Sequence, residues 1–269
     1  MSERISVRVN DGIADVRMVR AEKMNALDDA MFTELVDTGE KLKLDKSLRV
    51  IVLSGEGRAF CAGLDTSNFA RMREREPASN GNVVNRSLAT RTHGIANRAQ
   101  YAVWVWREMP VPVIAAIHGV AFGGGFQIAL GADIRYVAPG TRMSVMEAKW
   151  GLVPDMSGMA IMRRLAREDV VRELTYTARI FTAEEALAYG FATRICENPR
   201  EEALATATEI AQKNPAAIRA AKRIINNYSD ADAGPILLAE STEQDAIIGS
   251  PNQIEAVTAQ MEKRAPRFR

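Results

Sequence analysis

The stretch at residues 113–134, VIAAIHGVAFGGGFQIALGADI, decides how the rest of the chain is arranged. It opens with a short apolar run at residues 113–117, which is typical of a buried strand. Three glycines follow at residues 123–125, and apolar side chains then recur at helical spacing. Such a turn lets the backbone approach a ligand and directs free N–H groups at it, although a tight structural turn would need the same glycines. The stretch therefore predicts a strand, a glycine turn and a helix, with a ligand site as one interpretation.

A second glycine-bearing turn strengthens the ligand interpretation. Residues 50–53, VIVL, form another apolar run, and they lead into GEGRAFCAGLD at residues 55–65. The paired segments AFCAGLD, residues 59–65, and HGVAFGGG, residues 118–125, resemble the crotonase (enoyl-CoA hydratase/isomerase) superfamily. A single glycine turn is a weak signal, whereas this pair is specific.

The resemblance covers nearly the whole chain. It continues through MEAKWGLVPD at residues 146–155, ELTYTARIFTAEEALAYGFATRI at residues 173–195 and QMEKR at residues 260–264. It implies an α/β, ClpP/crotonase-like fold with repeated ββα units over residues 1–198, and a helical trimerisation region over residues 199–269. It also implies a homo-oligomer, either a homotrimer or a homohexamer formed as a dimer of trimers.

Local patterns predict the order of the elements. An opening hairpin is predicted over residues 5–19, a capped helix over residues 28–44, and a long helix over residues 83–108 that ends before Pro110. The other predicted strands lie at residues 50–53, 113–117, 134–138 and 191–196. The other predicted helices lie at residues 159–166, 183–189, 200–213, 215–228, 233–248 and 253–264.

Composition excludes several functional classes. The 269 residues carry a formal net charge of +1, so no bulk electrostatic attraction to nucleic acid is expected. Two cysteines and two histidines in unrelated contexts predict neither a disulfide framework nor a metal site. No apolar run approaches the roughly 18 residues of a membrane span, and the first residues lack a signal-like apolar core. We therefore expect a cytoplasmic protein without membrane or nucleic-acid partners.

The resemblance implies chemistry on an acyl-CoA thioester. In this superfamily an enolate is stabilised by two backbone N–H groups that point at the thioester oxygen. Carried over by motif, those donors are the N–H groups of Leu64 and Gly124. No separate cofactor is implied, because coenzyme A is part of the substrate.

The acid and base groups depart from the hydratase pattern. Hydratases of the superfamily hold a water between two glutamates, and the first of these positions is Gln127 here. An amide can orient water or a substrate atom, but it cannot transfer a proton at neutral pH. The second position matches Glu147, so the hydratase pair is broken. That Gln127 is a helix residue without a role remains an open alternative.

A second acid, Asp155, follows Glu147 by eight positions. This spacing resembles the Δ3,5-Δ2,4-dienoyl-CoA isomerases, whose two carboxylates move a proton between distant carbons of a conjugated chain. Those isomerases usually carry a third acid, an aspartate, at the position of Gln127, so the chain departs from that subgroup as well. Two carboxylates in one apolar pocket should have separated pKa values, one acting as base and the other as acid. Alternatively, Asp155 caps the helix that follows it.

The resemblance also implies contacts to coenzyme A. The implied positions, which act through their backbone except for the Lys23 ammonium, are Lys23, Met24, Ala26, Ala62, Leu64 and Asp65. Lys263 and Phe268 are expected to contact the nucleotide across a subunit boundary.

Three functions remain open from the sequence. The preferred one is an acyl-CoA isomerase that uses Glu147 and Asp155. The nearest rival is a 2-enoyl-CoA hydratase that uses Glu147 alone. The third is a non-catalytic acyl-CoA-binding protein, which Gln127 motivates.

Overall fold

The structure, a computed structural model, describes residues 3–68, 87–229 and 233–267. Its first element is the predicted hairpin, in which β1 (Ile5–Asn10) pairs antiparallel with β2 (Ile13–Met18). Asp11 and Gly12 turn the chain with φ angles of 49° and 77°, a region in which glycine is unstrained. The hairpin forms one edge of the main sheet.

The main sheet has the strand order β1-β2-β3-β4-β6-β9, and its strands run parallel from β2 onward. The strands that follow the hairpin in this sheet are β3 (Val50–Gly55), β4 (Val113–Ile117), β6 (Ile134–Val137) and β9 (Arg194–Ile195). A smaller sheet of β5 (Val120–Phe122), β7 (Arg142–Ser144) and β8 (Phe181–Thr182) follows the order β5-β7-β8. Because β5 directly follows β4, the small sheet begins at the carboxyl end of a central strand.

Both faces of the main sheet are covered. β3 and β4 are buried at every position, which agrees with their uninterrupted apolar sequences. Successive side chains point to opposite faces, so Ile51 joins the large core while Val50 and Val52 join a second cluster. Ala203 and Ala207 cover that second cluster from a helix after the sheet.

The helices are α1 (Asp29–Leu44), α2 (Arg98–Arg107), α3 (Gly124–Leu130), α4 (Gly158–Met162), α5 (Glu168–Thr177), α6 (Ala183–Tyr189), α7 (Pro199–Ala211), α8 (Pro215–Ser229), α9 (Ala233–Ile247) and α10 (Pro251–Met261). Short 3₁₀ helices lie at Ala21–Lys23 and Glu147–Trp150. Asp28 caps α1 by accepting a hydrogen bond from the Met31 N–H at 2.8 Å, as its sequence predicts.

The predicted long helix is wrong at its start. Residues 83–86 of that prediction lie outside the described residues, and residues 87–97 have irregular backbone. α2 begins at Arg98 because Asn97 and Gln100 form a capping box: each side chain bonds the other's backbone N–H, at 2.9 and 3.0 Å. The helix ends before Pro110, as predicted.

Two further differences concern the middle of the chain. The helix predicted over residues 159–166 is shorter, since α4 ends at Met162. α5 was not predicted, although residues 173–177 of its sequence carry part of the family resemblance. The α/β architecture and the helical C-terminal region are those that were predicted.

The C-terminal helices pack on the α/β core. α7 covers the outer face of the main sheet, and α9 packs against α4 beside the loop that carries Asp155. The division of the chain at residue 198 and the oligomeric state stay predictions. Within the described ranges, no helix is both long and apolar enough to cross a bilayer.

Candidate active site

The two glycine turns that the sequence singled out contact each other. The Phe122 N–H donates to the Cys61 carbonyl oxygen at 3.1 Å. A β-carbon on Gly63, which has a φ of 88°, would lie 2.6 Å from the Phe122 carbonyl oxygen. A β-carbon on Gly125 would lie 2.4 Å from the Cys61 carbonyl oxygen. Glycine is therefore required at both positions so that the two backbones can lie side by side.

Leu64 and Gly124, whose amide N–H groups the family resemblance implies as oxyanion donors, both line one cavity. Leu27 pairs with the extended segment around Leu64. Its N–H donates to the Gly63 carbonyl oxygen at 2.8 Å, and its carbonyl oxygen accepts from the Asp65 N–H at 3.0 Å. In this pairing the N–H of Leu64 points away from Leu27. Gly124 is the first residue of α3, where the helix supplies no acceptor for the N–H group. Both residues line the cavity.

The cavity has a volume of about 1210 Å³ and collects most of the predicted site residues. Those that line it are Lys23, Met24, Ala26, Ala62, Leu64, Asp65, Gly124, Glu147 and Asp155. Apolar side chains such as Phe32, Met156 and Leu152 form much of the remaining wall. The space suits a large ligand with an apolar part.

Glu147 lies beside the second glycine turn. A β-carbon on Gly123 would be 3.2 Å from Glu147 Oε1, so the carboxyl group lies against the backbone that carries the Gly124 N–H. Burial, reinforced by the charge of Asp155, raises the pKa of Glu147 to about 7. Glu147 Oε2 is buried and has no hydrogen-bond partner among the described residues. A buried oxygen in that state can act on a bound substrate.

Gln127 contacts Glu147 and donates a hydrogen bond to its other carboxyl oxygen, Oε1. Gln127 Oε1 accepts hydrogen bonds from the backbone N–H groups of Met156, at 3.0 Å, and Gly158, at 2.8 Å. These two donors fix the amide orientation, so Nε2 faces Glu147 and donates to Oε1 at 2.7 Å. Gln127 is 1% exposed, and the described residues lining the cavity do not include it. It therefore contacts Glu147 and has a structural function that the sequence left open.

Asp155 is a cavity residue and not the cap of α4. Asp155 lines the cavity, whereas the α4 backbone N–H groups of Met159 and Ala160 donate to Glu240 Oε1, at 3.0 and 3.4 Å. Burial, reinforced by the charge of Asp245, raises the pKa of Asp155 to about 7. The capping alternative is therefore wrong for Asp155, because Glu240 has that role.

Residues 23–26, which the resemblance implies as contacts to coenzyme A, pack against the glycine turn at residues 59–65. Met24 and Asn25 have φ angles of 50° and 55°, and the Met24 carbonyl oxygen accepts from the Ala62 N–H at 2.9 Å. Asn25 is fully buried and donates through Nδ2 to the oxygens of Ala59, at 2.9 Å, and Phe60, at 3.1 Å. The sequence gives no signal that the Asn25 side chain is buried, because polar residues in loops are usually exposed.

The side chain of Asp65 is occupied by structural contacts. Its carboxylate accepts from Arg20 at 2.6 Å and from Ser67 N–H and Oγ at 2.9 and 2.8 Å. Burial acts to raise its pKa, but the hydrogen bonds from Ser67 and Arg20 outweigh it and lower the pKa to about 2. Asp65 therefore stabilises the turn as a carboxylate, and any contact to a ligand is left to its backbone.

The remaining predicted positions lie elsewhere. Lys263 is exposed beyond α10 and is not among the described residues that line the cavity, so its contact to a nucleotide stays a prediction. Phe268 lies outside the described residues. Over the described ranges, no three His, Cys, Asp or Glu side chains form a group that could hold a metal ion.

Helix α9 contributes to the cavity in a way that the sequence does not indicate. Gln244 and Asp245 line the cavity next to Asp155, and Glu240 lies one turn earlier on the same helix. Glu240 and Gln244 are 5% and 3% exposed, so this helix buries polar groups that no apolar periodicity could reveal.

Comparisons with known proteins agree with this geometry. The chain matches the model of the enoyl-CoA hydratase/isomerase family over residues 8–269. It is 32% identical over 267 residues to mitochondrial methylglutaconyl-CoA hydratase of Mus musculus, covering 97% of this chain and 80% of that protein. It is 31% identical over 256 residues to mitochondrial Delta(3,5)-Delta(2,4)-dienoyl-CoA isomerase of Rattus norvegicus, covering 94% of this chain and 77% of that protein.

A solved structure, an enoyl-CoA hydratase from Mycobacterium avium subsp. paratuberculosis K-10, has a TM-score of 0.83 at 23% identity and covers 99% of both chains. The sheet, the paired glycine turns and the helical C-terminal region are therefore a crotonase fold. The chain belongs to the enoyl-CoA hydratase/isomerase family and is one of its enzymes.

Proposed function

We propose that the protein is a dienoyl-CoA isomerase that converts a 3,5-dienoyl-CoA into the 2,4-dienoyl-CoA. The observation that carries the proposal is the pair of acids in one cavity, Glu147 and Asp155, each with a pKa raised to about 7. Groups that titrate near the working pH are suited to both removing and returning a proton. Position 127 supplies an amide that is bonded to Glu147, so no third carboxyl group is available there.

The reaction needs one base, one acid and no redox partner. A carboxylate removes a proton from C2, and the C2–H electron pair forms a C1=C2 bond while the thioester C=O pair moves onto oxygen, which gives the enolate. When the C=O bond re-forms, the C1=C2 pair becomes C2=C3. The C3=C4 pair then becomes C4=C5, and the C5=C6 pair takes a proton at C6 from the second carboxyl group. One proton leaves the substrate and one enters it, so the two acids exchange roles in each turnover.

We assign the C2 proton to Glu147 and the C6 proton to Asp155. Negative charge on the thioester oxygen would be stabilised by the N–H groups of Leu64 and Gly124, two residues that line the cavity. Glu147 contacts the glycine turn that bears one of these donors, and C2 is adjacent to the thioester carbon. Asp155 lies on the side of the cavity formed by α9, which suits the more distant carbon.

The coenzyme portion is proposed to lie along the first glycine turn. The backbones of Met24, Ala26 and Ala62 line the cavity there, and Lys23 brings a cation to the same wall. Phosphate groups of coenzyme A would be attracted to that ammonium group. The apolar residues near Asp155 would then contact the acyl chain.

Hydration of a 2-enoyl-CoA is the second candidate. It is favoured by the similarity to a protein named as a hydratase, which is as close as the similarity to a dienoyl-CoA isomerase. In that reaction Glu147 would act alone on a water, because Gln127 is already bonded to one of its oxygens and cannot accept a proton.

One absorbance experiment distinguishes the two. Purified protein is mixed with a 3,5-dienoyl-CoA, and formation of the conjugated 2,4-dienoyl product is followed; a 2-enoyl-CoA is run in parallel. We expect product from the dienoyl ester and little hydration of the enoyl ester. Hydration without isomerisation would reject the two-acid proposal, and binding of both esters without turnover would favour a non-catalytic acyl-CoA-binding protein.

A further inference from the structure

The segment that follows Asp155 in the chain is held by two buried side chains. All five backbone N–H groups of residues 156–160 donate to a side-chain oxygen. Two of them donate to Gln127 in the α/β core, and the other three donate to Glu240 on α9. The position of this segment, and of Asp155 directly before it, is therefore set from both regions of the chain.

Glu240 makes the larger share of these contacts. Its Oε2 accepts from the Ser157 N–H at 3.1 Å and from Gln100 Nε2 at 3.2 Å, which joins the segment to α2 as well. Its Oε1 accepts from the N–H groups of Met159, at 3.0 Å, and Ala160, at 3.4 Å. Because Glu240 is 5% exposed, solvent has little access to these donors if one carboxyl oxygen is lost.

The backbone of Ser157 makes the segment dependent on these contacts. Ser157 has a φ of 69° and a ψ of 4°, a left-handed conformation that residues with a β-carbon seldom adopt. Such a conformation persists where the surrounding structure fixes it. Here it is fixed by the bond to Glu240 and by the bond from Ser157 Oγ to the Gln100 carbonyl oxygen at 3.2 Å. Loss of the Glu240 acceptor would let the backbone around Ser157 relax, and the direction of the Asp155 side chain would change with it.

Glu240 has this effect without contacting the cavity. It is not among the described residues that line the cavity, whereas Asp155 and Met156 are. Any influence of Glu240 on a bound ester therefore has to pass through the segment that it holds.

We infer that Glu240 is a positioning residue that holds the segment after Asp155 and so keeps Asp155 directed into the cavity. The inference deepens the proposed function and rests on it for the effect on turnover. The hold on the segment does not depend on which substrate the enzyme uses.

Three variants of α9 test the inference. Glu240→Gln keeps the volume, but an amide has one acceptor oxygen, so some of the four donors would face an NH₂ group. Glu240→Asp keeps both oxygens on a side chain that is one methylene shorter, and it is the milder variant if Glu240→Gln does not fold. Glu243→Gln, the same change at an exposed position of α9, is the matched control.

Amide hydrogen exchange measures the hold in the absence of substrate. We expect the amides of residues 156–160 to exchange at least about tenfold faster in Glu240→Gln, by a smaller factor in Glu240→Asp, and at wild-type rates in Glu243→Gln. The amides of β4, in the middle of the main sheet, report the stability of the whole fold. The acceleration at residues 156–160 should exceed any acceleration in β4.

Turnover measures whether the hold acts through Asp155. Glu240→Gln should lower kcat for isomerisation of a 3,5-dienoyl-CoA about tenfold or more and leave KM within about twofold of wild type. In the Asp155→Asn background, the same change should lower kcat by less than about twofold, because the carboxyl group that it positions is gone. A residue that only stabilised the fold would lower kcat by the same factor in both backgrounds.

Two outcomes would overturn the inference. One is exchange at residues 156–160 that neither Glu240 variant accelerates beyond β4, and the other is an equal loss of kcat with and without Asp155. If exchange is accelerated as expected while wild-type protein isomerises no dienoyl-CoA, then the hold of Glu240 on the segment stands and the proposed reaction falls.

Discussion

The two acids of the cavity are held by different regions of the molecule. Glu147 is bonded by Gln127, which lies 20 positions earlier in the α/β core, and the whole contact is built on buried elements around the second glycine turn. The loop of Asp155 is bonded by Gln244, which lies 91 positions from Val153 on the C-terminal helix α9. Glu147 therefore depends on the packing of the core, whereas the loop of Asp155 is held from both regions, by Gln244 at the Val153 N–H and by Gln127 at the Met156 N–H. Changes in α9 are therefore expected to affect Asp155 more than Glu147, whereas changes at Gln127 reach both.

Loss of Glu147 is expected to have the largest effect. Glu147→Gln retains an oxygen that can accept from Gln127 Nε2, so the fold should persist, but no base remains beside the thioester. We predict a fall in kcat of at least about 1,000-fold for isomerisation and for any hydration, with CoA-ester binding retained. Steady-state kinetics and calorimetric binding would measure this. A Glu147→Gln enzyme with more than a tenth of wild-type kcat would remove Glu147 from the mechanism.

Loss of Asp155 is expected to separate the two candidate reactions. Asp155→Asn should lower isomerisation about 100-fold, because C6 then lacks its proton donor, and should leave any hydration within about threefold of wild type. Rates on a 3,5-dienoyl-CoA and a 2-enoyl-CoA, measured on one preparation, give the ratio. If both rates fall together, Asp155 acts on Glu147 or on the fold and not on the substrate.

Replacement of Gln127 tests the hydrogen bond that holds Glu147. Gln127→Leu removes the donor to Glu147 and leaves the Met156 and Gly158 N–H groups without their acceptor. We predict a further rise in the pKa of Glu147, a kcat about tenfold lower, and a loss of about 1–3 kcal/mol in the free energy of unfolding. Chemical denaturation and the pH–rate profile measure the two effects. Gln127→Glu is the control, because it keeps an acceptor for both N–H groups; if its stability falls as far as that of Gln127→Leu, the lost acceptor is not the cause.

The pH dependence of wild-type kcat follows from both raised pKa values. The proposed reaction needs one carboxyl group ionised and the other protonated, and both groups have a pKa of about 7. We predict a bell-shaped profile centred near pH 7, since both groups are protonated well below that pH and both are ionised well above it. In Asp155→Asn the residual activity should retain only the limb of Glu147. A profile that is flat from pH 5 to 9 would contradict the pairing.

The smallest effect is expected from replacing Asp65, which lies outside the pair of Glu147 and Asp155, and it concerns the free energy of unfolding. Its pKa is lowered to about 2, so its carboxylate stabilises the folded state above the unfolded pKa of about 4, and that stabilisation is lost as the pH falls towards 2. Asp65→Asn should reduce the free energy of unfolding by about 1–2 kcal/mol at pH 7, and the difference from wild type should disappear as the pH approaches 2. Urea denaturation at several pH values measures this. A difference that stays constant over that range would exclude the ionised contact to Arg20.

The features of the site that the sequence predicts are those encoded in short, contiguous segments. The strand before each glycine turn, the turns themselves and Glu147 follow from short segments whose pattern is specific, and the structure brings them to one cavity. The start of α2 was missed because the capping box of Asn97 and Gln100 has no apolar periodicity to mark it.

The contacts made over long sequence separations could not be predicted. The roles of Glu240 and Gln244 depend on how α9 docks on α4, and nothing in residues 233–247 indicates a buried polar face. The role of the Gln127 side chain stays open in the sequence because its two backbone donors, Met156 and Gly158, come from a loop whose path is set by tertiary packing. In each case the missing information is the position of a second element, which a single segment does not contain.

The placement of Gln244 on α9 also has a consequence for synthesis of the protein. The sheet and the Glu147–Gln127 contact are encoded before residue 200, so a nascent chain can form them while its last part is still in the ribosome. The N–H groups of Val153 and Ser157, on either side of Asp155, acquire their acceptors only after α9 has emerged, since Gln244 and Glu240 supply them. A chain that stops at residue 232 would therefore contain the two glycine turns and the Glu147–Gln127 contact. The loop of Asp155 would lack the acceptors that α9 supplies. The contacts of the Asp155 loop are therefore complete only once α9 has been synthesised and has packed.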